Sequence, residues 1–320
     1  MPAAQPFSVA LVGGLVKSTN SSALLKTPGV ATKLRNFEVS DEGTYRRING
    51  FSLFGDTLPN SLEDIEGLVV YADGLIACSG TNIYFSQDGD SWLQINKDSV
   101  ASGGDNHTAF TGRSTLARTS QDLASFAIYE GDTDYGEVII TDEGSGVKPM
   151  YFKMTGTGSA LSSRTYFCKE ITVSSTEYPK FCVMHDKHLV VAGASTAKNT
   201  IYYSGTNDVD SFTSSGSGSI VISDGVVGLA SFRSDLIIFC KNSIHKLSNI
   251  NDSSNIAVAP ITTNVGCLDG GSIQEVGGDI LFLAPSRSPP KAAPANLSPK
   301  FTAVSFAISA KPCIAEFISP

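Results

Sequence analysis

Residues 68–95 read LVVYADGLIACSGTNIYFSQDGDSWLQI. The stretch divides into short units. An apolar run, Leu68–Tyr71, meets a turn at Ala72-Asp73-Gly74. A second run then ends at the small residues Ser79-Gly80, and Ile83-Tyr84-Phe85-Ser86 forms a third. An Asp-Gly turn and Trp92 close it. Short runs rich in β-branched and aromatic residues, punctuated by Asp-Gly or Ser-Gly, predict antiparallel strands joined by tight turns.

The same order recurs. Residues 182–215 read CVMHDKHLVVAGASTAKNTIYYSGTNDVDSFTSS, in which Ile201-Tyr202 matches Ile83-Tyr84, Ser204 matches Ser86 and Phe212 matches Trp92. Residues 225–248 and 270–285 repeat the simpler half. A recurring unit of about 40–50 residues of antiparallel strands is the sequence signature of propeller blades. One blade cannot bury both faces alone, and its neighbours supply the missing core. The expectation is an all-β, propeller-like fold whose ring is open to incompleteness; a β-sandwich with similar hairpins is the other reading. Helix signals are thin. Residues 114–129 carry Leu116, Leu123 and Ala127 near helical spacing, but Thr, Ser and Asp interrupt them, which reads as a loop with a short helix.

The two ends differ from this body. Residues 1–55 read as an extended N-terminal arm with its first strands, residues 56–285 as the propeller-like body, and residues 286–320 as an irregular tail. Prolines at 289, 290, 294, 299, 312 and 320 crowd that tail. Proline lacks the ladder donor and fixes φ, so central sheet is not expected there.

In the 320 residues charged types are 17% and the formal net charge is −8. Such a surface repels phosphates, so broad nucleic-acid binding is not expected. The six cysteines (78, 168, 182, 240, 267 and 313) form no Cys-x-x-Cys pair. Most sit in apolar strand-like text, as buried free thiols of a reducing compartment do. No run reaches the roughly 18 apolar residues of a membrane span.

Ser86-Gln87-Asp88-Gly89-Asp90-Ser91-Trp92 is similar to the Asp-box of sialidase-type propellers, Ser-x-Asp-x-Gly-x-x-Trp, one residue short. The expected physics is a hairpin turn. Asp88 accepts backbone N–H groups, Gly89 takes a positive φ, and Trp92 anchors the next strand in the core. The box is a folding element and argues fold, not catalysis. His185 and His188 are separated by Asp186-Lys187; strand alternation places them on opposite faces, a turn there would bring them together, and no third metal ligand adjoins them. Gly-rich segments such as Gly156-Thr157-Gly158 and Gly216-Ser217-Gly218 lack the setting of a phosphate loop. Neither a nucleophile elbow nor a His-Glu-x-x-His motif occurs. Asp132, Asp134, Asp208 and Asp210 read as turn residues; a glycosidase carboxylate pair among such acids is the other reading. The expectation is a non-enzyme with no catalytic residue, cofactor or metal.

The N-terminal text reads Pro28-Gly29, Asn36-Phe37-Glu38, and Gly43-Thr44-Tyr45-Arg46-Arg47-Ile48-Asn49-Gly50-Phe51. In this run the chain resembles bacteriophage tail proteins of the tail-nozzle, or tail-tubular, type of short-tailed phages. The likeness covers about thirty residues. It implies a propeller-like structural subunit, a nozzle or adaptor of the virion tail, made in the host cytoplasm. Such a subunit forms rings of identical copies, contacts other tail or portal-adaptor proteins, and serves genome ejection, with DNA passing through unbound and no membrane span. Tyr45, Arg46 and Arg47 are the candidate interface, since guanidinium forks suit carboxylates on a partner. After Phe282-Leu283-Ala284-Pro285 this family continues with an Asp-Gly-Ile/Val-Arg turn and further blades. Here Ser286-Arg287-Ser288-Pro289-Pro290 follows, as in a truncated or frame-shifted relative. A receptor- or glycan-binding propeller used in host attachment and a generic propeller scaffold are the alternatives.

Overall fold

The computed structural model describes residues 37–39, 45–48, 50, 55–59, 64–95, 123–131, 135–143, 146–156, 164–174, 176–276, 278–285 and 304–308. The chain divides into two compact units, Met1–Phe54 and Gly55–Pro320. In the first, β1 (Phe37–Val39) pairs antiparallel with β2 (Tyr45–Arg47), in the register Phe37 to Arg47, Glu38 to Arg46 and Val39 to Tyr45.

The second unit is a succession of antiparallel sheets taken in chain order. The first sheet holds β3 (Ile65–Tyr71), β4 (Gly74–Ser79), β5 (Asn82–Ser86) and β6 (Leu93–Gln94). The second holds β7 (Ala124–Tyr129), β8 (Glu137–Asp142), β9 (Met150–Thr155) and β10 (Thr165–Glu170). The third comprises β11 (Phe181–His185), β12 (His188–Ala192), β13 (Thr200–Tyr203) and β14 (Gly218–Val221). The fourth comprises β15 (Val226–Phe232), β16 (Asp235–Cys240), β17 (Ile244–Ser248) and β18 (Ala257–Thr262). A fifth has three described strands, β19 (Gln274–Val276), β20 (Asp279–Ala284) and β21 (Val304–Ile308). Apart from a 3-10 turn at Gly270–Ser272, no helix occurs among the described residues. The strand Ala124–Tyr129 lies in the stretch expected to hold a loop and a short helix; residues 114–122 lie outside the described residues. β21 likewise lies inside the tail expected to be irregular, and its backbone pairs with β20 from Ile280–Ile308 to Ala284–Val304.

Strand alternation explains how these sheets stack. In β8, Val138 and Ile140 pack with Phe85 and Ile76 of the first sheet, while Ile139 between them packs with Leu189 and Val191 of the third. In β12, Val190 and Ala192 turn the other way, onto Leu236 and Ile238 of the fourth sheet. In β16, Ile237 and Phe239 pack with Ile280 and Phe282 of the fifth. The second strand of an inner sheet is therefore buried on both faces. A continuous apolar run there is what the geometry requires, and VII (138–140), LVVA (189–192) and LIIF (236–239) supply it. Each fully buried Leu, Ile or Phe contributes about 1.5–3 kcal/mol relative to exposure. The first strands run side by side in one sense. A Cβ on Gly67 would meet Ala124 and Phe126, Ser125 Oγ accepts the Cys182 N–H at 3.5 Å, and His185 Nδ1 lies 2.8 Å from Ser231 Oγ. Consecutive four-stranded meanders that share faces in this way are the propeller arrangement. Among the described residues, no hydrophobic cluster joins the fifth sheet to the first.

The cysteines at 78, 168, 182, 240 and 267 are buried free thiols. Burial pushes the Cys182 thiol up to about 11 and the Cys240 thiol to about 12, so both are inert at neutral pH.

Candidate functional site: a cleft between the first two sheets

Since the first strands run in one sense, the turns that follow them meet at one end of the second unit. Ala72-Asp73 joins β3 to β4, Asp186-Lys187 joins β11 to β12, and Arg233-Ser234 joins β15 to β16. Two-residue hairpin loops with the twist of the flanking strands need positive φ. Ala72 (54°), Asp186 (47°), Lys187 (68°) and Arg233 (59°) adopt it without glycine. The second sheet departs from this rule: residues 130–136 form a longer connection from β7 to β8. Long connections on a rigid scaffold are where binding surfaces concentrate.

A cleft of about 510 Å3 opens between that connection and the turn of the first sheet, lined by Val70, Asp73, Ile128, Glu130, Tyr135 and Gly136 among others. Its wall is built from behind. Arg164, just before β10, is 2% exposed and reaches the β3–β4 turn. Its two terminal nitrogens donate to the two oxygens of Asp73 at 2.8 and 2.6 Å. Gln87 Nε2 donates to the same carboxylate at 2.7 Å. The Arg164 bond holds the Asp73 carboxyl below its ordinary value. The Arg164 guanidinium also lies 4.6 Å from the Tyr135 ring centroid, a cation–π contact. The buried Tyr71 hydroxyl donates to Gly136 O at 2.8 Å and accepts the Met154 N–H at 3.1 Å. Burial pushes that phenol up to about 12, so it stays protonated and keeps donating. The connection is thus pinned at Tyr135-Gly136 by groups from the first sheet and from β9 and β10.

A second polar group lies between the second and third sheets. Lys153 and Lys169 lie 5.9 and 5.2 Å from the Tyr151 ring centroid, and Lys169 forms an ion pair with Asp210. Burial, and then Lys153, lowers the Lys169 ammonium from its usual value. Burial, followed by hydrogen bonding to Glu137, raises Tyr151. Tyr129 Oη donates to Asn207 Oδ1 at 2.9 Å beside it.

The residues singled out from sequence fall elsewhere. Ser86 is buried and its Oγ accepts the Gly89 N–H at 2.8 Å; Asp88 Oδ1 accepts the Asp90 N–H at 2.9 Å. Gly89 has φ 86°. A side chain on Gly55 would strike Gly89, since its Cβ would lie 2.1 Å from the Gly89 carbonyl carbon. Trp92 is half-buried rather than a core anchor, and its indole N–H donates to Asp56 O at 3.0 Å. Ser204, matched to Ser86, is also buried at the end of a third strand, where its Oγ accepts the Leu189 N–H.

His185 and His188 are directly paired across a two-residue turn, which puts them on one face; counting alternation along one strand gave the opposite result because the chain reverses between them. Both are buried. His188 Nδ1 lies 2.6 Å from Ser204 O and its Nε2 2.9 Å from Asn251 Oδ1. Among the described residues, no group of His, Cys, Asp and Glu is arranged to hold a metal. Asp132 and Asp134 lie outside the described residues.

Tyr45, Arg46 and Arg47 form β2, with Arg47 exposed. Arg46 stands opposite Glu38 and Arg47 opposite Phe37, so the two arginine positions fall on opposite sides of the ribbon.

No protein-family model and no curated protein matches the chain. Among solved structures it is similar to RAG in complex with one melted and one unmelted RSS, at 9% identity, TM-score 0.44, over 69% of this chain and 74% of that one. It is similar to the Pan2 WD40 domain of Neurospora crassa at 10% identity, TM-score 0.38, over 68% of this chain and 60% of that one. The AfRom2 CNH domain is 13% identical, with TM-score 0.39, over 70% of this chain and 66% of that one. All three scores lie below 0.5, so the fold rests on the sheet order and shared faces described above. No described helix is long and apolar enough to cross a membrane. The body of the chain is all-β and of the β-propeller type.

Proposed function

We propose that the chain is a structural subunit of a bacteriophage tail, a nozzle or adaptor that contributes to the DNA exit path. The observation that carries this reading is the N-terminal run Asn36-Phe37-Glu38 with Gly43-Thr44-Tyr45-Arg46-Arg47-Ile48-Asn49-Gly50. Phe37-Glu38 of the first segment lies in β1 and Tyr45-Arg46-Arg47 of the second forms β2, and the two strands pair with one another. Two further features support it. The body is a succession of packed antiparallel sheets, as a propeller-like tail subunit would have, and a net charge of −8 suits a lumen that passes DNA without binding it. Identical copies in a ring make head-to-tail contacts, and Arg46 and Arg47 on opposite sides of the ribbon suit a hairpin held between two acidic surfaces.

Reversing both charges, Arg46→Glu with Arg47→Glu, tests the role of the hairpin. Loss of the protein from assembled particles with an unchanged β-type circular dichroism spectrum is the expected result. Normal incorporation of the doubly reversed protein would overturn the interface.

A further inference from the structure

We propose that the seam between the third and fourth sheets is a proton-sensitive joint: uptake of a proton at His185 releases the turn end of the third sheet from the fourth while the rest of the body stays folded. The seam has three parts. Its middle is apolar, with Val190, Ala192 and Ile201 against Leu236, Ile238 and Leu247. At one end a backbone bond joins the sheets, where the Val226 N–H donates to Lys198 O at 2.8 Å. At the other end, where the turns gather, two histidines of the third sheet reach across. His185 Nδ1 lies 2.8 Å from Ser231 Oγ on β15, and His188 Nε2 lies 2.9 Å from Asn251 Oδ1 in the β17–β18 loop. The Asn251 amide is oriented from its far side, since its Nδ2 donates to the Asp186 carboxylate and to Asp186 O. His188 Nδ1 lies 2.6 Å from Ser204 O, and Thr206 Oγ1 lies 3.2 Å from Nε2. His185 is 3% exposed and His188 fully buried.

The two rings are cross-strand partners on one face of their hairpin. Directly opposite positions hold their Cβ atoms about 5 Å apart. His188 has an oxygen at each ring nitrogen, so both nitrogens can donate. A hydroxyl such as Ser231 Oγ serves a neutral imidazole equally well. A proton on His185 therefore brings charge to a buried ring beside a second imidazole, and burial penalises the charged form. The charged and titratable groups around His185 are Asp186 on its own turn, Asp235 on β16 and His188 on β12. Asp235 is itself engaged by Lys246 and Ser248. On β15, Arg233 follows Phe232 and lies against its ring, with Gly278 O as acceptor. Burial above all, with His188, holds the His185 imidazole below its ordinary value against the two aspartates. Exposure to water relieves the charge once it forms. The turn end can part alone, because the apolar middle and the Val226–Lys198 bond lie elsewhere along the seam. The joint is independent of the proposed tail role.

The test uses the full chain with nitroxide labels at Ser215→Cys on the β13–β14 loop and Ser253→Cys on the β17–β18 loop, both exposed positions. Cys313 is replaced by serine, and the cysteines at 78, 168, 182, 240 and 267 are buried. Pulsed dipolar electron paramagnetic resonance reads the separation at about pH 7.5 and about pH 5.5, on either side of ordinary histidine titration. The separation should lengthen at the lower pH, and should stay constant in His185→Gln. Labels at Lys198→Cys and Lys241→Cys, at the opposite end of the seam, should keep one separation at both pH values. Far-ultraviolet circular dichroism should not change. A Ser215–Ser253 separation indifferent to pH overturns the inference. Equal lengthening in His185→Gln, or at both ends of the seam, does so too. Loss of the β-type spectrum at the lower pH also overturns it, because the whole body then unfolds. The comparison of the two ends in the His185 protein decides the matter even where His185→Gln fails to fold.

Discussion

Arg164 ties the β3–β4 turn to Tyr135 of the connection between β7 and β8. It is 2% exposed, and its guanidinium meets the Asp73 carboxylate and the Tyr135 ring. Removing one partner of a buried charge costs more than the pair contributes, because the remaining charge is stranded. Asp73 itself is 42% exposed, so water compensates part of that loss. Asp73→Asn is therefore expected to destabilise by about 1–3 kcal/mol, less than for a fully buried pair. Adding Arg164→Met should recover part of this loss in urea unfolding; a double variant less stable than Asp73→Asn would contradict the stranded-charge explanation.

His185 gives a pH dependence of definite sign. Burial lowers its imidazole below the ordinary 6.5, opposed by Asp186 and Asp235 and assisted by His188, with Ser231 Oγ as its hydrogen-bond partner. Between the lowered value and 6.5 the unfolded chain binds more protons than the folded one. The stabilisation is complete above 6.5 and is lost as pH falls through the folded value. Thermal midpoints should drop on acidification below about 6.5, and His185→Gln should flatten that slope. An unchanged slope would show that other groups dominate.

At the scale of elements, the second strand of each inner sheet carries the stability. Ile238 is fully buried, facing Val190 and Ala192, whereas Val221 on β14 is 70% exposed. Ile238→Ala should cost about 2–5 kcal/mol and Val221→Ala should stay within about 0.5 kcal/mol. Comparable losses at both positions would contradict the shared-face arrangement. The same burial made these strands legible. A strand covered on both faces reads as a continuous apolar run, as in LIIFC after Asp235, and a two-residue turn such as Asp186-Lys187 marks where the chain reverses.

Other elements were not legible, for identifiable reasons. Leu123, just before β7, and Ala127 within it stand four apart and imitate helical spacing, while pairing with β8 decides the conformation. In β21 the surrounding prolines outweigh the short alternation Val304-Ser305-Phe306-Ala307-Ile308. Trp92 reads as a core anchor by size, yet it adjoins β6, the outermost strand of its sheet, where only one neighbouring strand can cover it. The cleft could not be read at all. Asp73 and Arg164 lie 91 residues apart, and only the unusual length of residues 130–136 between two strands hinted at it.

For the whole molecule, the body and the N-terminal hairpin carry different parts of the account. The stacked sheets establish a β-propeller-type body and would serve equally in a generic scaffold. The hairpin of β1 and β2 carries the resemblance to phage tail proteins and is the basis for the proposed role. A body whose sheets bury their faces against one another has its core within the subunit, so assembly is expected to act on a preformed subunit rather than to fold it. Particle composition separates the tail role from a scaffold role most directly. Peptide mass spectrometry of gradient-purified virions should recover this chain at a fixed multiple per particle, in the tail fraction after disruption. Its absence from virions that are otherwise complete and infectious would contradict the proposed function.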